Sequence, residues 1–161
     1  MAQEIEMNFI VKDKKGLLAF LKSQAEEVLS DIKMTYFERK SDASFYIRIE
    51  EIESNGEKRN FLTAKGNFKN EGGVNQRKEI SLPLGDSSQK YVDFLTLIGM
   101  EPKGSKQKIR HHFDIDDLEV TLDEWKVADL GDRLEIEGQS EETIKAFSKR
   151  IIKFCDPVPS K

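Results

Sequence analysis

The 161-residue chain carries 26 Lys and Arg against 30 Asp and Glu, so a net charge of −4 conceals a charged content of 35%. A hydrophobic content of 37%, with ten Phe, predicts one domain, residues 1–161, with a thin core; the single Cys155 excludes an internal disulfide, and the longest apolar run, Leu17 to Leu21, excludes a membrane span. Glu4 and Glu6 do not suit a signal peptide and a pI near 5.4 argues against general nucleic-acid binding, so the expectation is a cytoplasmic protein with neither membrane nor nucleic acid as partner.

In chain order, residues 3 to 11 read as a strand with Ile5, Met7, Phe9 and Val11 on one face and Glu4, Glu6 and Asn8 on the other. Leu17, Leu18, Leu21, Ala25, Val28, Leu29 and Ile32 recur at helical spacing and predict a helix over 15 to 33. Strands are predicted at 35–40, 44–53, 60–67 and 75–82, with turns at Asn55-Gly56 and Gly72-Gly73. A second helix spans about 87 to 98. Asp86, Ser87 and Ser88 offer it N-cap oxygens, Tyr91, Val92, Leu95 and Ile98 form its stripe, and Gly99 stops it. Strands follow at 106–114, 118–126 and 132–138, with turn signals at Gly104-Ser105 and Gly131-Asp132. The last helix follows Ser140, buries Ile144, Phe147, Ile151 and Phe154, and ends before Pro157.

Residues i and i+2 of a strand share a face, so each strand divides into two lists. Phe45, Ile47 and Ile49 oppose Tyr46, Arg48 and Glu50, and Thr63 goes with Lys65. Ile80 and Leu82 oppose Arg77, Glu79 and Ser81; Ile109, Phe113 and Ile115 oppose Lys106, Lys108, Arg110 and His112. Leu118, Val120 and Leu122 oppose Glu119, Thr121 and Asp123, and Leu134 and Ile136 oppose Arg133, Glu135 and Glu137. Same-sign pairs such as Glu4 with Glu6, Lys108 with Arg110 and Glu135 with Glu137 repel unless an opposite charge lies between them. A barrel whose apolar exterior packs on helices and whose charged lumen faces a ligand resolves this. Carboxylates suit Mg²⁺ or Mn²⁺, and Arg and Lys suit phosphates.

The order of short motifs resembles the CYTH family, also called triphosphate tunnel metalloenzymes, which includes class IV adenylyl cyclases and thiamine triphosphatases. They are Glu4-Ile5-Glu6, Tyr46-Ile47-Arg48-Ile49, Leu62-Thr63-Ala64-Lys65-Gly66, Arg77-Lys78-Glu79, Lys108-Ile109-Arg110, Val120-Thr121-Leu122-Asp123, and Leu130-Gly131 with Glu135-Ile136-Glu137-Gly138. The segment Leu97 to Pro102 ahead of Lys108 resembles the cyclase branch. The resemblance implies an α+β fold: an antiparallel eight-stranded β-barrel, a tunnel with a polar lumen, flanked by about three helices. It implies Mg²⁺ or Mn²⁺ on Glu4, Glu6, Asp123, Glu135 and Glu137, and phosphate on Arg48, Lys65, Arg77, Lys108 and Arg110. The implied partner is a triphosphate-containing small molecule, namely ATP, inorganic triphosphate or thiamine triphosphate, and a homodimer is allowed. The implied reaction is conversion of ATP to cyclic AMP and pyrophosphate, with triphosphate hydrolysis or a phosphate-binding module without turnover as alternatives. An apolar ligand fits poorly with so many charged faces.

Two positions depart from the family pattern: Asn8 stands where the motif has Lys, and Glu50 where many members carry Arg. Both move the lumen toward negative charge, and losing two charged hydrogen bonds of about 1.5 to 3 kcal/mol each predicts a weaker grip on phosphate. Elsewhere, adjacent His111 and His112 face opposite ways and read as wall or surface residues, and Trp125 is expected to pack under a helix, with stacking on a nucleobase as the alternative. Cys155 reads as structural, and Lys12 to Lys15 as a solvated turn.

Overall fold

The computed structural model describes residues 2–40, 42–85 and 88–158, without the side chains of 2–4, 42–44, 67 and 68. Its strands are β1 Ala2–Val11, β2 Val28–Arg39, β3 Asp42–Ser54, β4 Glu57–Glu71, β5 Val74–Leu84, β6 Met100–Ile115, β7 Leu118–Trp125, β8 Arg133–Gly138 and β9 Cys155–Pro157. The order β5-β4-β3-β2-β6-β7-β8-β1 is antiparallel throughout, and β1 pairs back onto β5 through Ala2↔Glu79 to Glu6↔Asn75. Eight strands therefore close into a barrel, and β9 extends it by pairing with Phe9–Val11 of β1. Two hairpins owe their tightness to residues that tolerate positive φ: Asn55 (52°) with Gly56 (79°), and Gly72 (59°) with Gly73 (84°).

Three helices pack on the outside: α1 Lys14–Lys22, α2 Ser88–Leu97 and α3 Glu141–Ile151. Asp13 caps α1 by accepting from the Gly16 amide, and Ser140 caps α3 by accepting from Thr143. The main core lies between α1, α3 and the outer faces of β1, β6, β7 and β8, built from Phe9, Leu17, Phe113, Leu122, Ile136 and Ile144 among others. A smaller cluster of Phe37, Ile49, Leu95 and Met100 seats α2. Most buried apolar side chains thus face out of the barrel into its helical cover, leaving the lumen largely to polar groups.

The helix expected over 15–33 ends at Lys22, and its second half is strand β2. Its stripe runs on at helical spacing through Val28 and Ile32, but those side chains alternate on a strand, with Ile32 turned to the lumen while Asp31 and Lys33 face outward. Both readings satisfy the same residues, and the β2 pairings with β3 and β6 decide between them. Strand β6 begins at Met100 and absorbs Gly104-Ser105, expected as a turn, with a register shift opposite Tyr36 and Phe37 beside Pro102. The caps expected at Asp86 and Ser87 lie outside the described residues.

Candidate functional site

The lumen is a cavity of about 1560 Å³. Strand parity fills it with charge: eight Lys or Arg and eight Asp or Glu line it, among them Arg48, Lys65, Arg77, Lys108, Arg110, Asp123, Glu135 and Glu137. Glu6 sits behind this lining, 2% exposed, and the side chain of Glu4 lies outside the described residues, although its backbone pairs with Arg77.

The cations do not stand apart from the acids. Arg77 Nη2 lies 3.1 Å from Glu6 Oε1, which also accepts from Asn8 Nδ2 at 3.0 Å. Arg48 Nη2 lies 3.1 Å from Glu50 Oε1, whose other oxygen accepts from Thr63 Oγ1 at 2.8 Å. Lys65 meets Glu79 at 2.5 Å. Asp123 is held by three donors: Arg110 Nε and Nη2, each at 2.7 Å, and Lys108 Nζ at 2.5 Å. The lumen is internally neutralised, which is how so many charges coexist behind closed walls. The Nε of Arg48 is nevertheless buried with no hydrogen-bond acceptor among the described residues.

These contacts shift the titrations in opposite directions. Burial raises the pKa of Asp123, but the hydrogen bonds and charges of Arg110 and Lys108 outweigh it and hold the carboxyl below its usual range. Lys108, 4% exposed, is pushed down to about 8, chiefly by desolvation and then by neighbouring Arg110. Burial lowers Arg110 and Arg48, but Asp123 and Glu50 respectively reverse the sign and keep both guanidiniums charged. His112 is raised by its hydrogen bond to Glu119, which adds a cation to the lumen as pH falls.

Register also aligns acids. Glu6, Glu137 and Glu119 face one another in a row across β1, β8 and β7, with Asn8, Glu135 and Thr121 in the next row. Directly paired Cβ atoms lie about 4.5 to 5.5 Å apart, so the carboxylates form an arc along one wall. Among the described residues no three His, Cys, Asp or Glu side chains converge tightly enough to enclose a metal ion by themselves. The donor set still fits one class of ion: carboxylate oxygens suit Mg²⁺ or Mn²⁺, and Mg²⁺ is commonly held by one or two carboxylates plus the phosphates of its ligand. The buried Thr121 Oγ1 beside this arc has no hydrogen-bond partner among the described residues, consistent with a ligand or hydrated ion here.

The structure lines one lumen with Arg48, Lys65, Arg77, Lys108, Arg110, Asp123, Glu135 and Glu137, with Glu6 buried behind it, and adds two lining residues outside the predicted ligand set. Glu119 shares the Asp123 face, a signal available from i, i+4 spacing on a strand. Trp125, expected beneath a helix, lines the lumen instead, because β7 continues its alternation to that residue. The two histidines face opposite ways: His112 lines the lumen, while His111 is bound outside it between Glu27 (2.6 Å) and Glu124 (2.7 Å). Cys155 is buried, with Sγ 3.3 Å from the Ile151 carbonyl. Lys12 and Lys14 are partly exposed and pair with Asp156, and with Glu124 and Asp132.

Asn8 and Glu50, the two departures, both line the cavity. Asn8→Lys places a cation on the acid arc beside Glu6 and Glu135. Triphosphate affinity measured by calorimetry is expected to rise about tenfold, the value of one charged hydrogen bond; unchanged affinity removes position 8 from the binding surface.

A closed antiparallel barrel with a charged lumen and outer helices defines a tunnel-barrel protein. A family model for the CYTH domain matches residues 2–154, and the chain belongs to that family. A search of curated proteins returns no match. Among solved structures, a Pyrococcus horikoshii protein is 22% identical over 93% of this chain and 86% of its own, with a TM-score of 0.74. A Hippeastrum protein, described as a candidate adenylyl cyclase with a dominant triphosphatase activity, is 16% identical over 93% and 86%, with a TM-score of 0.68. A chain of the Schizosaccharomyces pombe Mediator head module is 11% identical over 97% and 98%, with a TM-score of 0.78. At these identities the likeness establishes the fold, and activity must be argued from the site.

Proposed function

We propose that the chain is a single CYTH unit that binds a triphosphate in its tunnel and processes it with a divalent metal, either by adenylyl-cyclase-type ring closure or by hydrolysis. The observation that carries this reading is one lumen that holds paired cations, Arg48, Lys65, Arg77, Lys108 and Arg110, beside an acidic arc of Glu119, Glu135 and Glu137 with Glu6 buried behind it. A triphosphate is long enough to span both, with phosphate oxygens on the guanidiniums and ammoniums. Arg110 and Lys108 would bind the phosphates, and Asp123 would orient both cations. The arc, together with Glu4, would hold the ion, which when bound withdraws charge from the phosphorus and shields the attacking oxygen from phosphate charge. The cations would then stabilise charge developing on the departing phosphate.

Internal neutralisation gives the site a further property. Each cation must loosen from its carboxylate to take a phosphate, so metal on the acids and phosphate on the cations should favour each other's binding. The Hippeastrum protein favours hydrolysis as the second reading. The test is to incubate the protein with Mg²⁺ or Mn²⁺ and ATP, inorganic triphosphate or thiamine triphosphate, comparing Glu137→Ala. Cyclic AMP with pyrophosphate selects the cyclase, and orthophosphate selects the hydrolase; Glu137→Ala is expected to lower either rate at least 100-fold. Binding without turnover leaves a phosphate-binding module, and neither binding nor turnover contradicts the tunnel reading.

A further inference from the structure

Strands β4 and β5 keep an apolar outer face that the helices leave largely open. Across β3, β4 and β5 its residues stand in rows, Ile49 beside Leu62 beside Leu82, and Ile47 beside Ala64 beside Ile80. The rows begin under α2, where Ile49 and Leu62 belong to the cluster around Leu95, and end in the open, with Ile80 46% and Leu82 50% exposed. α2 is also apolar over more of its circumference than the barrel buries: Leu95 is 2% exposed, whereas Phe94, Leu97 and Ile98 are 56%, 85% and 44% exposed. This helix starts beside Glu51, which accepts from Ser88 Oγ at 3.1 Å, and descends along β3 to the turn before Met100. Its right-handed winding then lays Phe94 and Ile98 toward β4 and β5, with Gln89, Asp93 and Thr96 on the opposite flank. Single exposed apolar side chains are ordinary, but a continuous patch of this kind marks an interaction surface.

Shape and charge specify what fits there. The open shelf is two to three strands wide, about 10 to 14 Å at ordinary strand spacing, and α2, about 10 Å thick, stands along it as a wall. That step accommodates one α-helix, whereas a flat bilayer would rest on Leu97 and leave Ile80 and Leu82 uncovered. Cations border the patch: Lys78 precedes Ile80 on the same face of β5, Lys90 lies one turn before Phe94, and Arg39 and Lys40 share a hollow with Ile98. All four are exposed, and no ion pair holds any of them among the described residues. A second copy would set these same cations against one another. We infer that the shelf between α2 and β5 docks an amphipathic α-helix of a partner protein, with one apolar stripe and acidic flanks. This surface lies outside the tunnel and is independent of the triphosphate reading.

The probe is a fluorescent helical peptide of about four turns, with Leu at positions i, i+3, i+4, i+7 and i+11 and Glu on both flanks, set against the same peptide with Lys in place of Glu. Anisotropy titrations of the full chain should give a Kd on the order of 10 μM for the acidic peptide and at least tenfold weaker binding for the basic one. In amide spectra of the ¹⁵N-labelled protein the shifts should fall in 62–66, 78–84 and 90–98. Leu82→Asp, and Lys78→Glu combined with Lys90→Glu, should each weaken the acidic peptide at least tenfold. Both changes lie on the surface, so the thermal midpoint should stay within about 3 °C of wild type. Equal binding of the two peptides, shifts confined to other segments, or no binding of the acidic peptide at millimolar concentration overturns the docking site. A dimer in sedimentation that Leu82→Asp dissociates would overturn it in favour of a second copy, and binding to phosphatidylserine vesicles that Leu97→Asp abolishes would overturn it in favour of lipid.

Discussion

Arg110→Met is expected to weaken triphosphate binding by about two orders of magnitude and to destabilise the fold by about 3 kcal/mol. Arg110 makes a bidentate pair with Asp123, a carboxylate only 6% exposed, and its removal leaves that charge to Lys108 alone. Breaking a buried pair from one side costs about 3 to 5 kcal/mol, with Lys108 holding the loss near the lower end. Losing a charged contact to phosphate costs about 1.5 to 3 kcal/mol, or 10- to 150-fold in affinity, and weaker orientation of Lys108 adds to it. The two effects can be separated. Asp123→Asn in the Arg110→Met background removes the stranded charge, so urea denaturation should show most of the stability restored while calorimetry shows binding still lost. Recovery of binding together with stability would make Arg110 a purely structural residue.

Lys108 predicts a pH dependence that runs in opposite directions for stability and binding. Its pKa falls from 10.5 in the unfolded chain to about 8 in the fold. Between those values the unfolded state binds more protons than the folded one, so stability attributable to this group rises with pH across roughly 8 to 10.5, and its cost is fully present below 8. Binding has the reverse slope, because the ammonium that would hold phosphate is discharged as pH rises through about 8. A terminal phosphate ionises near about pH 6, so the ligand's charge is constant there. Affinity for triphosphate should therefore fall severalfold between pH 7.5 and 9.5 in wild type. Lys108→Arg, charged throughout, should bind with a flat profile. A wild-type profile that is already flat would show that Lys108 does not contact phosphate.

Much of this site is legible in the sequence, for a definite reason. On β3, β5, β6, β7 and β8 the apolar residues sit at alternate positions, and period two alone sorts Arg48, Arg77, Lys108, Arg110, Asp123, Glu135 and Glu137 onto one face. What period two cannot supply is the partner of each charge. That Arg77 lies on Glu6 follows from the closure of β1 onto β5, and that Lys108 and Arg110 share Asp123 follows from the β6–β7 register; both are long-range pairings. Strand β2 was hidden for a different reason. Val28 and Ile32 face the lumen while Asp31 and Lys33 face outward, so its first hydrophobic positions merge with the stripe of α1 and read as one helix through residue 33. Trp125 was misplaced because an aromatic at a strand end carries no signal of which face the next loop covers.

The barrel lumen is proposed to be an anion site despite its balanced charge. Titration calorimetry of inorganic triphosphate with Mg²⁺ into wild type and Arg110→Met, at low salt near pH 7, tests it most directly. Saturable one-to-one binding to wild type is expected, with a Kd on the order of micromolar, and a loss of about 100-fold in the variant. Absence of binding to wild type at millimolar triphosphate, or equal binding by both proteins, would contradict it.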